Sequence, residues 1–184
     1  MEANKLFEES LEWLKRTYNK HIFFTERDLE CILQKHIKDK IGEYNLNRRF
    51  QVLNDWPMES GKKYADLVIR NIDEADEFKV EVAVELKYEP DHNRKQDFPQ
   101  KKFKNSVVFW NTKQGQSSVM GDIKRVEGYV EQGKATVAYA IFIDEGSRFF
   151  GNAKYSGISV DRAKWYKDWN KVGMAVLITR RQLN

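Results

Sequence analysis

Charged and apolar residues alternate along Val80-Glu-Val-Ala-Val-Glu-Leu-Lys-Tyr88, and no other feature of the chain constrains the fold as strongly. A side-chain period of two predicts a β-strand. A second apolar run, Tyr64-Ala-Asp-Leu-Val-Ile-Arg70, lies upstream and also predicts a strand. Residues 71–78, between the two runs, are acidic and typical of a turn. The sequence therefore predicts an antiparallel hairpin.

The centre of this hairpin determines which residues face each other across it. The midpoint between Asp66 and Glu85 falls inside the turn, so antiparallel pairing places these two carboxylates opposite each other. Lys87 lies two residues beyond Glu85 and shares its strand face. Two carboxylates and an ammonium group at one place favour a divalent-cation site suited to phosphodiester hydrolysis. The alternative is a solvated strand on which opposite charges balance.

The second strand is predicted to lie in the middle of the sheet, and this favours the cation site. A strand followed by a helix-rich region is usually covered on both faces. Charged side chains at such a position cost free energy unless they are paired or bind a metal ion.

The remaining patterns predict an α/β fold in which helices flank a mixed β-sheet. Apolar residues at helical spacing predict helices over 2–20, 26–40 and 119–132, and Thr25 with Asp28 is expected to cap the second one. Further strands are predicted over 49–53, 107–110, 136–143 and 174–179. Residues 25–143 then form a core with the order α-β-β-β-α-β, with the helix over 2–20 and the segment 144–184 as additions. A strand–helix–strand crossover after a hairpin implies a mixed sheet.

Composition indicates one globular domain over residues 1–184, since 41% of the residues are hydrophobic and 33% are charged. No apolar run is long enough to cross a bilayer, and the first residues lack a signal-peptide pattern. The single cysteine, Cys31, is expected in the core. These features favour a cytoplasmic protein without a membrane partner. A net charge of +4 and a basic segment at 94–104 favour a polyanionic partner.

The motifs and their order resemble the PD-(D/E)xK nuclease superfamily, which has the restriction-endonuclease-like fold. The resemblance rests on Asp66 in Tyr-Ala-Asp-Leu-Val-Ile and on Glu85-Leu-Lys87 at the end of an apolar strand. The helix beginning Thr25-Glu-Arg-Asp-Leu is similar to the opening helix of archaeal Holliday-junction resolvases. Asp122-Ile-Lys-Arg-Val126 is similar to the helix that follows the catalytic strand in the same group.

The resemblance implies a Mg²⁺-dependent endonuclease that hydrolyses DNA, with Mn²⁺ able to replace Mg²⁺. Asp66 and Glu85 would bind the ion through their carboxylates, together with the backbone carbonyl of Leu86. Lys87 would orient the attacking water or help to deprotonate it, and would stabilise the charge that builds on phosphorus. Glu26 would assist as a ligand through water or by holding a second ion.

Alternatives remain for several of these positions. Glu30, one turn after Glu26, competes for its role, and an acid in the first turn also stabilises the helix dipole. Asp122 and Arg125 are expected to form an ion pair that fixes their helix. The fold could also serve as an inactive nucleic-acid-binding or interaction module. RNA is an alternative substrate, and a homodimer is a further hypothesis because cutting both strands of a duplex takes two active sites.

Overall fold

A computed structural model describes residues 2–59, 63–92, 107–110, 118–150, 152, 163–170 and 173–182. The helices are α1 (Ala3–Thr17), α2 (Glu26–Glu43) and α3 (Val119–Glu131), with a short 3₁₀ helix (Tyr18–Lys20) after α1. The strands are β1 (Phe50–Glu59), β2 (Lys63–Asn71), β3 (Val80–Glu89), β4 (Ala135–Asp144), β5 (Ala163–Lys167) and β6 (Ala175–Gln182). The predicted α/β class is confirmed, and the order α-β-β-β-α-β runs from α2 to β4.

The six strands form one mixed sheet in the order β1-β2-β3-β4-β6-β5. The only parallel pair in the described sheet is β3 with β4, which α3 connects, and the other neighbours are antiparallel. Helices α1 and α2 pack on one face of the sheet and α3 packs on the other. Strand β3 is therefore central and covered on both faces, as the sequence predicts.

The register of the β2–β3 hairpin confirms the prediction made from its centre. Leu67 pairs with Val84 and Ile69 pairs with Val82, so Asp66 and Glu85 come next in the same register. The pairing ends at Leu67, although both strands continue beyond it. The hairpin strands therefore part at the position of the two carboxylates.

Helix α2 begins with the predicted capping box. The hydroxyl of Thr25 accepts a hydrogen bond from the Asp28 backbone N–H, and the Asp28 carboxylate accepts one from the Thr25 N–H at 2.8 Å. Leu29, Leu33 and Ile37 then pack into the core against the sheet. The cap and this apolar stripe fix Glu26 as the first residue of the helix.

Strand β1 is longer than the sequence predicts. The sequence predicts a strand over 49–53, but β1 continues through residues 54–57 and ends at Glu59. Asp55 adopts a φ of 51° within it, a conformation that aspartate tolerates better than most residues. Pro57 is accommodated because β1 is an edge strand, where a missing N–H costs little.

The strand predicted over 107–110 is not present. The carbonyls of Val108 and Phe109 accept hydrogen bonds from the N–H groups of Val119 and Met120, so this segment satisfies the first turn of α3 and joins no strand. The basic segment at 94–104 lies outside the described residues, and its contact with a polyanion stays a prediction.

The prediction that Cys31 is a core residue is wrong, because the cysteine is exposed. It lies two residues from both Leu29 and Leu33, which places it on the opposite side of α2 from the buried stripe. Within the described ranges, no helix has both the length and the hydrophobicity needed to cross a membrane.

Candidate active site

The predicted site residues meet where β2 and β3 stop pairing, beside the N-terminal ends of α2 and α3. Strand β2 supplies Asp66, and β3 supplies Glu85 and Lys87. Helix α2 supplies Glu26 as its first residue, and α3 supplies Asp122 from its first turn. The β2–β3 hairpin and two helices that are distant from it in the sequence thus bring acids and one lysine to a single end of the sheet.

Lys87 lies between the two helices and contacts both. Its Nζ atom is 3.1 Å from Oε1 of Glu26 and 3.2 Å from Oδ2 of Asp122, and it donates to the Leu86 carbonyl at 3.0 Å. Burial alone lowers the pKa of Lys87, but Asp122, Glu26 and Asp66 outweigh that effect and raise it above its ordinary value. Lys87 is therefore a fixed ammonium group, and it connects the acids of the two helices.

Asp66 is held by the backbone of the neighbouring strand. Its Oδ2 atom accepts a hydrogen bond of 2.6 Å from the N–H of Leu86. β2 no longer pairs with β3 here, so the backbone of β2 offers no acceptor to the N–H of Leu86. The side chain of Asp66 accepts this hydrogen bond instead. Burial raises the pKa of Asp66, and the Leu86 N–H and Lys87 partly offset this rise.

Glu26, Glu30 and Asp66 form a compact acidic cluster. One carboxylate oxygen from each lies within 4.8 Å of the other two. Burial raises the pKa of Glu26 from 4.5 to about 7, in spite of Lys87, and burial also raises the pKa of Glu30. Arg27 is the nearby cation on the outer side, where it contacts Glu30 at 2.6 Å and Asp55 at 2.8 Å.

The acidic cluster fits a hard divalent cation. Its donors are all carboxylate oxygens, the ligand type that Mg²⁺ and Mn²⁺ take in proteins. Partly or fully buried carboxylates at this separation repel one another, and the raised pKa values of Glu26 and Glu30 reflect burial together with this repulsion. A bound cation would offset both effects. The competing position Glu30 therefore joins Glu26 in one cluster.

Glu85 faces α3 and belongs to a second group, which we call the α3 network: Glu85, Asp122, Arg125 and Tyr129. The Tyr129 hydroxyl donates to Oε1 of Glu85 at 2.8 Å, and Nη1 of Arg125 donates to Oε2 at 2.8 Å. Nη2 of Arg125 donates to Asp122 at 2.7 Å, which confirms the predicted ion pair. Burial raises the pKa of Glu85, with Asp66 adding to this effect and Arg125 opposing it. The role of Glu85 as a metal ligand stays a prediction.

Sequence reasoning missed the contribution of Tyr129 and the contact of Asp122 with Lys87. The signal was present, because Asp122, Arg125 and Tyr129 follow one another at intervals of three and four residues. Such spacing places all three on one face of a helix. The pattern indicated a shared face, but it did not say that this face would lie against Glu85.

The assembled site combines an acidic cluster, a largely buried ammonium group and an acid–arginine–tyrosine network. The acidic cluster can hold a cation, and the ammonium group beside it can bind the oxygen atoms of a phosphate. Comparisons with protein-family models, curated proteins and solved structures found no match for this chain.

Proposed function

We propose that this protein is a metal-dependent endonuclease that uses Mg²⁺ to hydrolyse phosphodiester bonds in DNA. The observation that carries the proposal is the position of Lys87, whose ammonium group contacts Glu26 at the margin of an acidic cluster fit for a divalent cation. The sequence resemblance to PD-(D/E)xK nucleases supports the same chemistry. RNA remains the alternative substrate.

Glu26, Glu30 and Asp66 would hold the ion, and Glu85 is the further ligand that the resemblance implies. When bound, a Mg²⁺ or Mn²⁺ ion supplies an acidified water molecule and offsets negative charge on the phosphate. Asp66 is already oriented by the Leu86 N–H, and Glu26 by its place at the start of α2. The cluster therefore needs little rearrangement before it binds.

Lys87 would act on the phosphate as a cation. Its raised pKa favours charge stabilisation and water orientation over proton removal, because a general base must first lose its own proton. Its side chain is only 14% exposed, so its charge is weakly screened by water. The ammonium group can donate hydrogen bonds to the phosphate oxygen atoms as negative charge builds on them.

A second candidate function is a nucleic-acid-binding or interaction module without hydrolytic activity. The observation that favours it is the state of Glu85, since each of its carboxylate oxygens accepts a hydrogen bond from the α3 network. A carboxylate held in this way can stabilise the fold without contacting an ion.

A cleavage assay separates the two candidates. Supercoiled, linear, single-stranded and branched DNA, and a matched RNA, are incubated with the protein in Mg²⁺, in Mn²⁺ and in chelator. The proposal expects metal-dependent DNA cleavage that Asp66→Asn abolishes and that Lys87→Met slows by about 10²–10³-fold, the effect of removing one charge-stabilising donor. Glu81→Gln, on β3 outside these contacts, is the control for a lost strand carboxylate.

Intact DNA and RNA in every condition would remove the hydrolytic proposal and leave the binding module. Cleavage of RNA alone would show that the substrate is RNA and not DNA. Double-strand cuts by the wild type would also require a second copy of the chain, which the protein's mass in solution would reveal.

A further inference from the structure

A groove of about 330 Å³ lies between the end of the β1–β2 hairpin and the outer face of α3. Glu59 and Lys63 line it from the hairpin, and Lys124, Arg125 and Gly128 line it from the helix. Lys134, just after α3, completes its lining. We call this cleft the basic groove, because four cationic side chains line it against one carboxylate.

The cations of the basic groove are not balanced by that carboxylate. Glu59 contacts Lys63 at 3.2 Å and Lys134 at 3.4 Å, so a single negative charge serves two ammonium groups. Lys124 is exposed and forms no ion pair with any residue that the structure describes. Two positive charges of the groove thus remain for an anion from outside.

The shape of the groove depends on a glycine of α3. A Cβ atom at Gly128 would meet nothing closer than the flexible end of Gln132 at 3.6 Å, so this position has room for a larger side chain. The missing side chain leaves open the middle of the helix face that carries Lys124.

The basic groove is continuous with the candidate active site. Arg125 and Tyr129 line the groove, and the same two residues hold the carboxylate of Glu85. Asp122, on the same helix, contacts Lys87. A polyanionic chain lying in the groove therefore lies against the α3 network, at the edge of the candidate active site.

We propose that the basic groove binds the phosphate backbone of the DNA strand on one side of the bond that is cut, with Lys124, Lys134 and Lys63 contacting its phosphates. The inference rests on the proposed nuclease function and assigns the surface that positions the substrate. An incoming phosphate competes with Glu59 for Lys63 and Lys134, and Lys124 meets it without losing a partner. These contacts go to phosphates, so they position the DNA without reading its sequence.

Salt-dependent DNA binding tests the assignment without requiring cleavage. The affinity for a fluorescent duplex DNA is measured by anisotropy in chelator and in Ca²⁺, over a series of salt concentrations, for the wild type, Lys124→Ala and Lys134→Ala. Each phosphate contact contributes about 0.9 to the slope of log affinity against log salt, so each variant should bind about eightfold more weakly at about 0.1 M salt. Both slopes should fall by about one.

Lys38→Ala is the matched control for Lys124→Ala. Lys38 is also an exposed helical lysine without an ion pair in the described structure, but it lies on α2, across the sheet from α3. Twelve residues of helix separate it from Glu26, a distance of about 18 Å. Its loss should leave the salt slope unchanged. An equal loss in the Lys38 and Lys124 variants would overturn the groove as the binding surface.

A second pair of variants replaces Gly128. Glutamate and glutamine form helix better than glycine does, so neither change should destabilise α3. Gly128→Glu places a carboxylate in the groove, and Gly128→Gln places a neutral side chain of the same size there. The proposal expects the first to weaken DNA binding severalfold more than the second, by electrostatic repulsion. Equal affinities for the two would contradict it.

The outcomes also separate this inference from the nuclease proposal. If the wild type cleaves DNA and the lysine variants bind it as tightly as the wild type, the nuclease proposal stands and the groove is not the binding surface. If the lysine variants bind DNA more weakly but the wild type cleaves no substrate, the groove is the binding surface and the nuclease proposal is wrong. A duplex RNA that binds more tightly and shows the same slope change would replace DNA as the occupant.

Discussion

The acidic cluster and the α3 network lie on either side of Lys87, and they differ in the groups that contact their carboxylates. In the α3 network both acids contact Arg125, and Glu85 also accepts a hydrogen bond from Tyr129. In the acidic cluster Asp66 accepts a backbone N–H from Leu86, and Arg27 is shared with Asp55. In the α3 network two carboxylates contact Arg125 and Lys87, whereas in the acidic cluster three carboxylates depend on cations that are shared with Asp122 and Asp55. The acidic cluster therefore retains more charge that an added cation can offset. The same residue type thus serves stability on one side, and we propose that it serves ion binding on the other.

Removal of Arg125 should have the largest effect on the folded state. Arg125→Ala leaves Glu85, which is 1% exposed, without its cation, and it removes one of the two cations that contact Asp122. Breaking a buried ion pair from one side costs about 3–5 kcal/mol, so the free energy of unfolding in urea should fall by this amount.

Arg27→Ala is the corresponding change beside the acidic cluster. The Arg27 side chain is 54% exposed and contacts both Asp55, which is 64% exposed, and Glu30, which is only 7% exposed. Because water can replace the exposed guanidinium group beside Glu30, the loss of Arg27 should cost less than that of Arg125, about 1–3 kcal/mol. Equal losses of stability in the two variants would mean that the two groups do not differ as described.

Mn²⁺ binding should distinguish the roles of Asp66 and Asp122, two aspartates that both lie close to Lys87. Asp66→Asn removes a negative charge and one of the two side-chain oxygens of this residue from the acidic cluster, and should weaken Mn²⁺ binding at least about tenfold in a calorimetric titration. Asp122→Asn belongs to the α3 network and should change the Mn²⁺ affinity much less. If Asp122→Asn weakens Mn²⁺ binding as strongly as Asp66→Asn, the ion lies nearer to α3 than the acidic cluster implies.

The hairpin illustrates what the sequence can predict about this site. Its register follows from the period of two and from the turn centre, both of which are local properties, and the structure pairs Leu67 with Val84 accordingly. The capping box of α2 is local as well, since Thr25 and Asp28 lie three residues apart. The hairpin was enough to predict that Asp66, Glu85 and Lys87 come together at one end of the sheet, whereas the place of Glu26 beside them was implied by the resemblance of its helix to that of the nucleases.

The direction in which Glu85 points could not be predicted in this way. It depends on the docking of α3, which brings Tyr129 and Arg125 to the carboxylate across 40 or more residues of sequence. The extent of β1 was missed for a different reason. Pro57 indicates a loop in most sequences, but an edge strand tolerates it, and strand order is a property of the whole sheet.

The stability of the metal-free protein should depend on pH through the acidic cluster. The pKa of Glu26 is about 7 in the folded protein against an ordinary 4.5, so the folded state holds this proton more tightly than the unfolded state. Stability should therefore decrease as the pH rises from about 4.5 to about 7. The other acids of the cluster have raised pKa values and act in the same direction.

Thermal unfolding in chelator, across that pH range, measures the effect for the wild type and for Glu26→Gln. Glutamine does not ionise, so the variant does not lose stability as the Glu26 carboxyl of the wild type does. Its melting temperature should therefore rise relative to that of the wild type as the pH increases. Saturating Mn²⁺ should reverse the trend in the wild type by binding the charged carboxylates. A melting temperature difference that stays constant with pH would place the pKa of Glu26 near its ordinary value.

The smallest expected difference comes from the two helix caps. Thr25 caps α2 beside the acidic cluster, and Ser118 caps α3 beside the α3 network by accepting the Gly121 N–H at 3.0 Å. Thr25→Ala and Ser118→Ala should each lower the free energy of unfolding by about 1 kcal/mol, the usual contribution of an N-cap. Mn²⁺ titration should distinguish them. The capping box orients Glu26, so only Thr25→Ala should weaken Mn²⁺ binding, because an ion held by the acidic cluster depends on the start of α2 and not on the start of α3.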